Sequence, residues 1–572
     1  MKKRKLIILL VSLFSLIAVV GCGKNENEAV ETPVEDEDEF SVPEEFQTPV
    51  IPPFSTVQLN AYEGENYIFD SNVTNENGSV CYEIFVRSFY DSNGDGIGDF
   101  NGVTKQLPYL QDLGIKTIWL MPIMPSPSYH GYDVSDYYAV NPEYGTMEDF
   151  DKLLEESKKY NIEIMIDIVF NHSSTEHPWF RQSYQDYISG NDNEDSKADW
   201  YVWTDKYQSG YSIYTGSNGI YYESRFSHTM PDLNTANPAV RSELLKILKY
   251  WCEKGVDGFR FDAVKYFDFA NTNYNVEFMT FLHDEVVKDY PNTYFVGECW
   301  DSVNVINDYY KSTFESFFTF GSSLDANGEA TILGQVKTLN KANSFGSMIE
   351  QREKLMKINN PNAYSSYFLS NHDMDRASKS LTGENAKLAA SLLMLLPGTP
   401  YMYYGEEISL QGVRKTSPDD ASDARRRLAM IWSKDDKTGE CGFPEPNRPN
   451  LMNNPQVELG AYDQMAKNYS LWNHYKKVIQ IRNKYPFIKN SVFTNLTPDL
   501  GTSLDNILAY ELSYGDESII IIHNFENANA EIDVTKLGVT SIVDEISVAK
   551  LIPELNGNIL KIGKMSTVVL VR

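Results

Sequence analysis

The sequence predicts a parallel (β/α)8 barrel, or TIM barrel, with a subdomain inserted after the third strand and an antiparallel β domain at the C-terminus. Three observations lead to this fold class. After residue 78, short apolar segments end in polar residues and alternate with helical segments. Residues 173–234 interrupt the alternation with a stretch rich in Trp, Tyr, Asn and Gly. Beyond Pro486 the pattern changes to hairpins, as in "NILAYELSYGDESIIIIHNF".

Eight segments have the composition of strands, and most are near-continuous apolar runs, as buried parallel strands are. In chain order they are "CYEIFVRSFY", "TIWLMPIMP", "IEIMIDIVFNH", "GVDGFRFD", "TYFVGECW", "ESFFTF", "YFLSNHD" and "PYMYYGEE". Eight β-then-α units favour a barrel whose active residues gather at the C-terminal ends of the strands. A doubly wound open sheet is the alternative, but no GxGxxG follows any of these strands.

The first residues have the pattern of an export signal. "MKKRK" is basic, and the apolar run from Leu6 to Val20 is shorter than the ~20 residues of a spanning helix. The run ends in "VVGC", which resembles the lipobox of bacterial lipoproteins and implies a signal peptide over 1–21 and lipidation of Cys22. An ordinary cleaved signal or an uncleaved anchor is the alternative. We therefore expect an exported protein, lipid-anchored at the bacterial cell envelope on its extracytoplasmic side.

Composition sets the remaining domain boundaries and limits the partners. Residues 22–60 are acidic and proline-containing, which predicts a disordered tether. The barrel is then expected over 61–172 and 235–485, the inserted subdomain over 173–234 and a C-terminal β-sandwich over 486–572. The 50 basic and 80 acidic residues give a net charge of −30, which argues against nucleic acid as a partner. The four cysteines after Cys22 lack metal or disulfide spacing and are expected to be buried free thiols.

Four strand ends carry the chemistry: "DIVFNH", "GFRFDAVK", "VGECW" and "SNHDMDR". Any one acidic residue there could cap a helix or form an ion pair. Together they place Asp262, Glu298 and Asp373 at the mouth of one barrel, and clustering three carboxylates is electrostatically costly. Paired carboxylates suit glycoside cleavage, in which one attacks the anomeric carbon and the other protonates the leaving oxygen.

In this order, the four segments resemble the conserved regions of the α-amylase family, glycoside hydrolase family 13, over about residues 78–480. The resemblance implies that Asp262 is the nucleophile, Glu298 the general acid/base and Asp373 a stabiliser of the transition state. It further implies a set of residues that bind or orient the substrate: Tyr132, Asp133, His172, Arg260, Lys265, His372 and Arg376. Asp167 and Asn171 match the third-strand motif of the family, in which the Asp has a structural role.

The loop "DSNGDGIGDF", from Asp91 to Phe100, is similar to an EF-hand at its start. It lacks the terminal Glu, since Gly102 stands there, and it follows a strand. In several branches of the family, a loop of this form binds calcium. The resemblance implies a structural Ca²⁺ site whose ligands are Asp91, Asn93, Asp95, Asp99 and the carbonyl oxygen of Ile97. A metal-free Asp/Asn/Gly turn is the alternative.

Local features bear on specificity. "MPDLN", from Met230 to Asn234, resembles the intermediary group between oligo-1,6-glucosidases and neopullulanases, and Ala263 after the nucleophile is typical of α-1,4 cleavage. Tyr266 stands where many α-amylases have His, so the far end of the cleft is expected to differ. We expect a monomeric, retaining, endo-acting α-1,4-glucan hydrolase that degrades starch and α-glucan oligosaccharides.

Two other functions remain open from the sequence. A neopullulanase-like, cyclomaltodextrinase-like or α-glucosidase activity on short α-glucans is the alternative within the enzyme class. A non-catalytic carbohydrate-binding lipoprotein on the same barrel is the alternative outside it, although all three acids are present.

Overall fold

The computed structural model describes residues 67–572 apart from 270, 321–331, 333, 335, 337–341, 415–422, 446–456, 458, 501–504 and 549–550. The predicted signal peptide, Cys22 and the predicted tether therefore lie outside the described residues. In the described part, no helix is both long and apolar enough to span a membrane.

A parallel sheet forms the barrel, as predicted. Its strands in chain order are β1 Cys81–Ile84, β2 Thr117–Leu120, β3 Glu163–Ile168, β7 Gly258–Phe261, β8 Tyr294–Gly297, β9 Ser316–Phe317 and β10 Tyr401–Tyr403. They neighbour one another in the order β10-β1-β2-β3-β7-β8-β9, with parallel pairing at every step. Nearly every residue of these strands is buried, which explains their continuous apolar sequence.

The predicted strand at 367–373 closes the barrel through single bridges instead of a ladder. Phe318 pairs in parallel with Ser366, and Phe368 pairs in parallel with Tyr401. The segment thus fills the eighth position between β9 and β10. The sheet alone is a seven-stranded partial barrel, and these two bridges complete the ring.

Helices follow the strands and cover the sheet. They are α1 Phe100–Lys105, α2 Leu107–Leu113, α3 Met147–Lys159, α4 Pro178–Ser189, α5 Pro238–Lys254, α6 Thr272–Val287, α7 Val303–Tyr309, α8 Ala342–Asn359, α9 Glu384–Leu395, α10 Ala461–Met465 and α11 Leu471–Lys484. Short 3₁₀ helices lie at Val86–Ser88, Ala198–Trp200, Val264–Tyr266, Ala377–Lys379, Glu406–Ile408, Ala424–Arg426, Pro486–Asn490, Thr497–Leu500 and Thr535–Leu537.

Local sequence explains where these helices begin and end. The α3 helix starts at a capping box in which Thr146 and Asp149 satisfy each other's backbone N–H groups. The α5 helix starts with Asn237 as its cap and Pro238 in its first turn, and Gly255 ends it in the left-handed conformation.

The inserted subdomain contains α4 and a small antiparallel sheet. Its strands are β4 Trp203–Thr204, β5 Tyr211–Ile213 and β6 Tyr221–Glu223, in the order β4-β6-β5. Phe180 lies at the centre of its aromatic core, 5.2 Å from Trp203 and 4.8 Å from Tyr222 between ring centroids. These insert rings therefore stabilise the subdomain itself.

Two antiparallel sheets form the C-terminal region. One contains β11 Val492–Asn495, β12 Ile507–Tyr514, β13 Glu517–Asn524, β15 Ser541–Ile546 and β18 Thr567–Val571; the other contains β14 Ala530–Asp533, β16 Glu554–Asn556 and β17 Ile559–Ile562. Ile520 and Ile522 of the larger sheet share a hydrophobic cluster with Ile532 and Leu560 of the smaller one. The predicted C-terminal antiparallel domain is thus confirmed. Cys81, Cys252 and Cys299 are buried free thiols, as predicted, and Cys441 is buried as well.

Candidate active site

A buried arginine organises the C-terminal end of the barrel. Arg260 on β7 is 1% exposed, and its guanidinium contacts carboxylates from three neighbouring strands. Its Nη1 donates to Asp262 Oδ1 at 2.7 Å and to Asp167 Oδ1 at 2.9 Å, and its Nη2 lies 3.4 Å from Glu298 Oε2. Parallel strands end at the same rim, so side chains far apart in sequence meet here.

The backbone after Asp262 shapes the position of Glu298. Ala263 adopts the left-handed conformation, with φ 46° and ψ 43°. Its N–H donates to Glu298 Oε2 at 2.9 Å. A non-glycine residue in this region is strained, and such strain concentrates at functional sites. The strained turn therefore holds the two acids next to each other.

Asp373 is held by a different set of cations. Its Oδ2 lies 3.2 Å from His372 Nε2, and its Oδ1 accepts from Arg427 Nη2 at 2.9 Å. Its side chain is 39% exposed, far more than those of Asp262 and Glu298. The third acid thus faces the open side of the site.

The environment separates the protonation behaviour of the acids. Burial raises the pKa of Glu298, and the carboxylates of Asp262 and Asp373 raise it further against the opposing charge of Arg260. Partial burial would raise the pKa of Asp373 too, but the charges of His372 and Arg427 outweigh it and hold that pKa well below its usual range. The arrangement favours a proton on Glu298 and an ionised Asp373.

The two histidines of the site differ in charge. Burial opposes the charged form of His372, but Asp373 and Glu83 outweigh it and raise the pKa of His372 to about 9. Burial lowers the pKa of His172, and Asp262 opposes this shift only in part. His172 is accordingly neutral, and its Nε2 donates to the backbone carbonyl of Tyr132 at 3.0 Å.

Tyr132 lies between the histidine and the arginine. Its ring stacks on that of His372 at 5.6 Å, and the Arg260 guanidinium lies 5.8 Å from its centroid. Its hydroxyl donates to Asp167 at 3.1 Å and contacts His372 Nε2 at 2.6 Å. The structure therefore brings Tyr132, His172, Arg260 and His372 together with the three acids.

Two other predicted substrate contacts, Asp133 and Lys265, already have protein partners. Asp133 is buried and accepts from the hydroxyls of Ser126 and Ser128. Lys265 Nζ donates to the Trp300 carbonyl at 2.7 Å and to Asp301 at 3.1 Å.

The structure does not support the predicted substrate contact of Arg376. This residue is 2% exposed, and its guanidinium donates to the carbonyl oxygens of Tyr404 and Arg426. It also lies over the Tyr403 ring, 4.1 Å from its centroid. Because these contacts hold the guanidinium inside the protein, Arg376 supports the loops behind the site.

Sequence reasoning missed two residues of the site. Glu83 on β1 is 1% exposed and accepts from His372 Nδ1 at 2.5 Å. A lone carboxylate inside an apolar strand is a signal that could have indicated it. Arg427 lies in "ARRRL", where nothing local distinguishes it from its neighbours.

The loop at 91–99 was predicted to bind calcium. Its acidic side chains turn inward: Asp91 accepts from the N–H groups of Gly94 and Gly96, and Asp99 accepts from Ser92. The oxygen ligands suit a hard cation. In the described part of the chain, however, no group of three or more His, Cys, Asp and Glu side chains is placed to hold a metal ion. The calcium site stays a prediction.

Comparison with known proteins agrees with this geometry. The family model described as the alpha-amylase catalytic domain matches residues 83–491, which is more than half of the chain. The chain belongs to the alpha-amylase family. It is 39% identical to "Alpha-amylase 3" of Dictyoglomus thermophilum over 80% of this chain and 87% of that protein. It is also 30% identical to "Oligo-1,6-glucosidase" of Parageobacillus thermoglucosidasius over 78% of this chain and 90% of that one.

Solved structures show the same relationship. Eubacterium rectale Amy13B aligns with a TM-score of 0.79 at 36% identity, covering 88% of this chain and 96% of that one. The protein is thus a family 13 glycoside hydrolase that acts on α-glucans. The names of its relatives include both amylases and 1,6-glucosidases, so family membership alone does not select the bond.

Proposed function

We propose that this family member is a retaining, endo-acting α-1,4-glucan hydrolase, an α-amylase that degrades starch and maltooligosaccharides. One observation carries the retaining mechanism: a single guanidinium, that of Arg260, contacts both Asp262 at 2.7 Å and Glu298 at 3.4 Å. The preference for α-1,4 bonds rests on Ala263 after the nucleophile. Two carboxyls that contact the same guanidinium lie close together, which favours direct attack by the Asp262 carboxylate over a water placed between that carboxylate and the sugar, as in retaining enzymes.

In the first step Asp262 attacks the anomeric carbon while Glu298 protonates the departing oxygen. Arg260 donates a hydrogen bond to Asp262 at 2.7 Å and orients it for attack, and burial together with neighbouring carboxylates keeps the proton on Glu298. Asp373, ionised between His372 and Arg427, accepts hydrogen bonds from sugar hydroxyls as positive charge develops on the ring. The product of this step is a glycosyl ester of Asp262.

In the second step Glu298, now a carboxylate, takes a proton from water, and the water oxygen attacks the anomeric carbon. The ester bond to Asp262 breaks, and the sugar leaves with its original anomeric configuration. The charge of His372 and the fixed ring of Tyr132 orient the sugar in both steps, because they are held by Glu83 and Asp167.

The decisive experiment compares the soluble body, starting after the acidic tether, with its Asp262→Asn variant. Both receive starch, maltoheptaose and pullulan, and products are sized over time while NMR follows their anomeric form. Mixed α-anomeric oligomers formed early from starch, and abolished by the substitution, are the expected result. Glucose alone, or panose from pullulan, would replace the proposal with the α-glucosidase or neopullulanase alternative. Binding without turnover would indicate a carbohydrate-binding protein.

We also propose that the loop at 91–99 holds a structural Ca²⁺ through Asp91, Asn93, Asp95, Asp99 and the Ile97 carbonyl. The support is the supply of oxygen ligands in a turn whose N–H groups bond to its own carboxylates. A chelator should lower the thermal midpoint, and added Ca²⁺ should restore it. An unchanged midpoint would mean that the loop is a metal-free turn.

Export and anchoring remain proposals based on the N-terminal pattern. Lipidation of Cys22 would hold the protein outside the cytoplasmic membrane. We also propose that the protein is a monomer. The test is detergent-phase partition of the full chain beside Cys22→Ser. Partition that is unaffected by the substitution would contradict the lipid anchor, and sedimentation of the soluble body tests the monomer.

A further inference from the structure

His372 lies between two carboxylates that come from different parts of the barrel. Its Nδ1 lies 2.5 Å from Glu83 Oε1 on β1, and its Nε2 lies 3.2 Å from Asp373 Oδ2. The residue is fully buried, and the Trp119 ring packs against it nearly at a right angle, 5.7 Å away between centroids. The imidazole is therefore fixed with an acid on each side.

Hydrogen-bond geometry determines the charge of this ring. A neutral imidazole has one N–H donor, whereas the imidazolium has two. Ionised carboxylates only accept, so both nitrogens of His372 must carry a proton to bond to Glu83 and Asp373. The Tyr132 hydroxyl, 2.6 Å from Nε2, agrees with this, because it donates to Asp167 and its oxygen can accept from His372. His372 is therefore an imidazolium.

His172, in the same site, has the opposite arrangement. Its Nε2 donates to the Tyr132 carbonyl at 3.0 Å. Its Nδ1 faces the side-chain amide nitrogen of Asn171, which is a donor, at 3.2 Å. One ring nitrogen donates and the other accepts, as in a neutral imidazole. The carboxylate at Nδ1 of His372 thus has no counterpart at His172.

Glu83 is buried in the wall of the barrel. Its side chain is 2% exposed, and the residue pairs with Trp119 of β2 and Tyr403 of β10 in the sheet. Its backbone carbonyl accepts from the N–H of Tyr404 at 3.0 Å. A buried ion pair stabilises a fold no better than well-packed apolar side chains do, so a carboxylate at this position indicates a role in function.

The other charged groups around the ring have partners of their own. Arg427 donates to Asp373 at 2.9 Å, and Arg260 donates to Asp167 at 2.9 Å. Both guanidinium groups repel a positive charge on the ring. Asp373 shares its charge with Arg427, so Glu83 is the carboxylate that serves the histidine alone.

We propose that Glu83 is a positioning residue that keeps His372 charged during glucan cleavage and thereby sets the upper pH limit of the reaction. The inference rests on the proposed retaining mechanism. Glu83 is not among the residues that the family resemblance implies. While His372 is charged, its Nε2–H fixes Asp373, which accepts hydrogen bonds from the sugar. Loss of the Nε2 proton removes this donor and its charge, so the transition state is less stabilised.

α-Maltosyl fluoride separates His372 from Glu298 as the cause of an alkaline limit. Glucan cleavage needs the proton of Glu298, so its rate also falls when Glu298 ionises. Fluoride leaves without this proton, and kcat/KM covers only the steps up to the glycosyl ester. The alkaline limb of kcat/KM on this substrate therefore reports on His372.

The test compares Glu83→Gln with Glu315→Gln. The first variant keeps the size and the hydrogen-bond acceptor but removes the charge. The second is the matched control, because Glu315 contacts His283 Nε2 at 3.1 Å at the other end of the barrel. The alkaline midpoint should lie near pH 9 in the unmodified protein and in the control. In Glu83→Gln it should lie about 1–3 pH units lower, the effect of losing one adjacent opposite charge.

NMR of nitrogen-15-labelled histidine gives a readout that does not depend on activity. The chain has 8 histidines, and His372→Asn identifies the signals of His372 by their loss. Both ring nitrogens of His372 should stay protonated up to about pH 9 in the unmodified protein. In Glu83→Gln, one proton should be lost at a lower pH.

Three results would overturn the inference. They are an unchanged alkaline midpoint in Glu83→Gln, an equal shift in Glu315→Gln, and a neutral His372 ring at neutral pH in the unmodified protein. If the unmodified protein does not cleave α-maltosyl fluoride, the retaining mechanism is refuted and the catalytic role of Glu83 falls with it. The NMR titration distinguishes that failure from a wrong assignment of the contact between Glu83 and His372.

Discussion

The two ends of the barrel both carry charged side chains, but they arrange them differently. At the C-terminal end, carboxylates from β3, β7 and β8 share the single guanidinium of Arg260. At the N-terminal end, a cavity of about 240 Å³ is lined by Lys116, Glu163, Glu315 and Lys489 among others. There, Lys116 pairs with Glu163 at 3.4 Å, and Glu315 contacts His283 at 3.1 Å.

The difference shows that a cavity is a weaker indicator of function than unbalanced charge. At the N-terminal end, each of these two carboxylates has its own basic partner, and such one-to-one pairing favours stability. At the C-terminal end three acids share one cation, and burial together with repulsion between the carboxylates raises the pKa of Glu298. An arrangement that costs stability without helping the fold is the one to associate with catalysis.

The largest effect should come from Glu298→Gln. Loss of the general acid should lower kcat on starch by about 1000-fold or more. The loss should be much smaller for the first step on α-maltosyl fluoride, because fluoride leaves without a proton; a burst of released fluoride measures this step. Equal losses for both substrates would contradict the role of Glu298 as the acid.

Arg260→Met compared with Lys489→Met tests the two ends directly. Removing the shared cation leaves three carboxylates together and should cost about 3–5 kcal/mol of stability as well as activity. Lys489 lines the cavity at the opposite end of the barrel and lies 4.4 Å from the centroid of the Tyr364 ring, so its replacement should leave kcat unchanged. Thermal midpoints and starch hydrolysis rates measure both variants. A similar loss of kcat in Lys489→Met would overturn the distinction.

The pH dependence of stability should report on His372. Its pKa is raised from 6.5 to about 9 in the folded protein. The charged form of His372 therefore stabilises the folded protein fully below pH 6.5, and this contribution is lost as pH rises through about 9. It amounts to a few kcal/mol of folding free energy at most. The thermal midpoint should fall across this window. Glu83→Gln should flatten the fall, and an equal slope in this variant would contradict the assigned contact.

The smallest effect should come from Ala263→Val. A β-branched residue in the left-handed conformation should cost about 1–2 kcal/mol and shift the N–H that holds Glu298. We expect a lower thermal midpoint and a several-fold lower kcat on starch. Ala263→Gly, which adopts this conformation freely, is the control and should retain kcat. A stable and fully active Val variant would show that the turn does not position the acid.

The sequence by itself determined the barrel, its insert, its C-terminal β domain and the residues at the strand ends. It could do so because buried parallel strands are continuous apolar runs, and because functional residues of a barrel follow them directly along the chain. The structure places Tyr132, His172, Arg260 and His372 around the acids, and the roles that the family resemblance implies for them stay predictions.

Only the tertiary structure decided which charged groups contact one another. Arg427 reaches Asp373 from 54 residues away, and Glu83 reaches His372 from 289 residues away. The fold also decided the environment of Arg376. Its motif predicted a substrate contact, but its guanidinium is buried and donates to backbone carbonyl oxygens. Electrostatic contacts depend on distance through space, and no local pattern of residues records that distance.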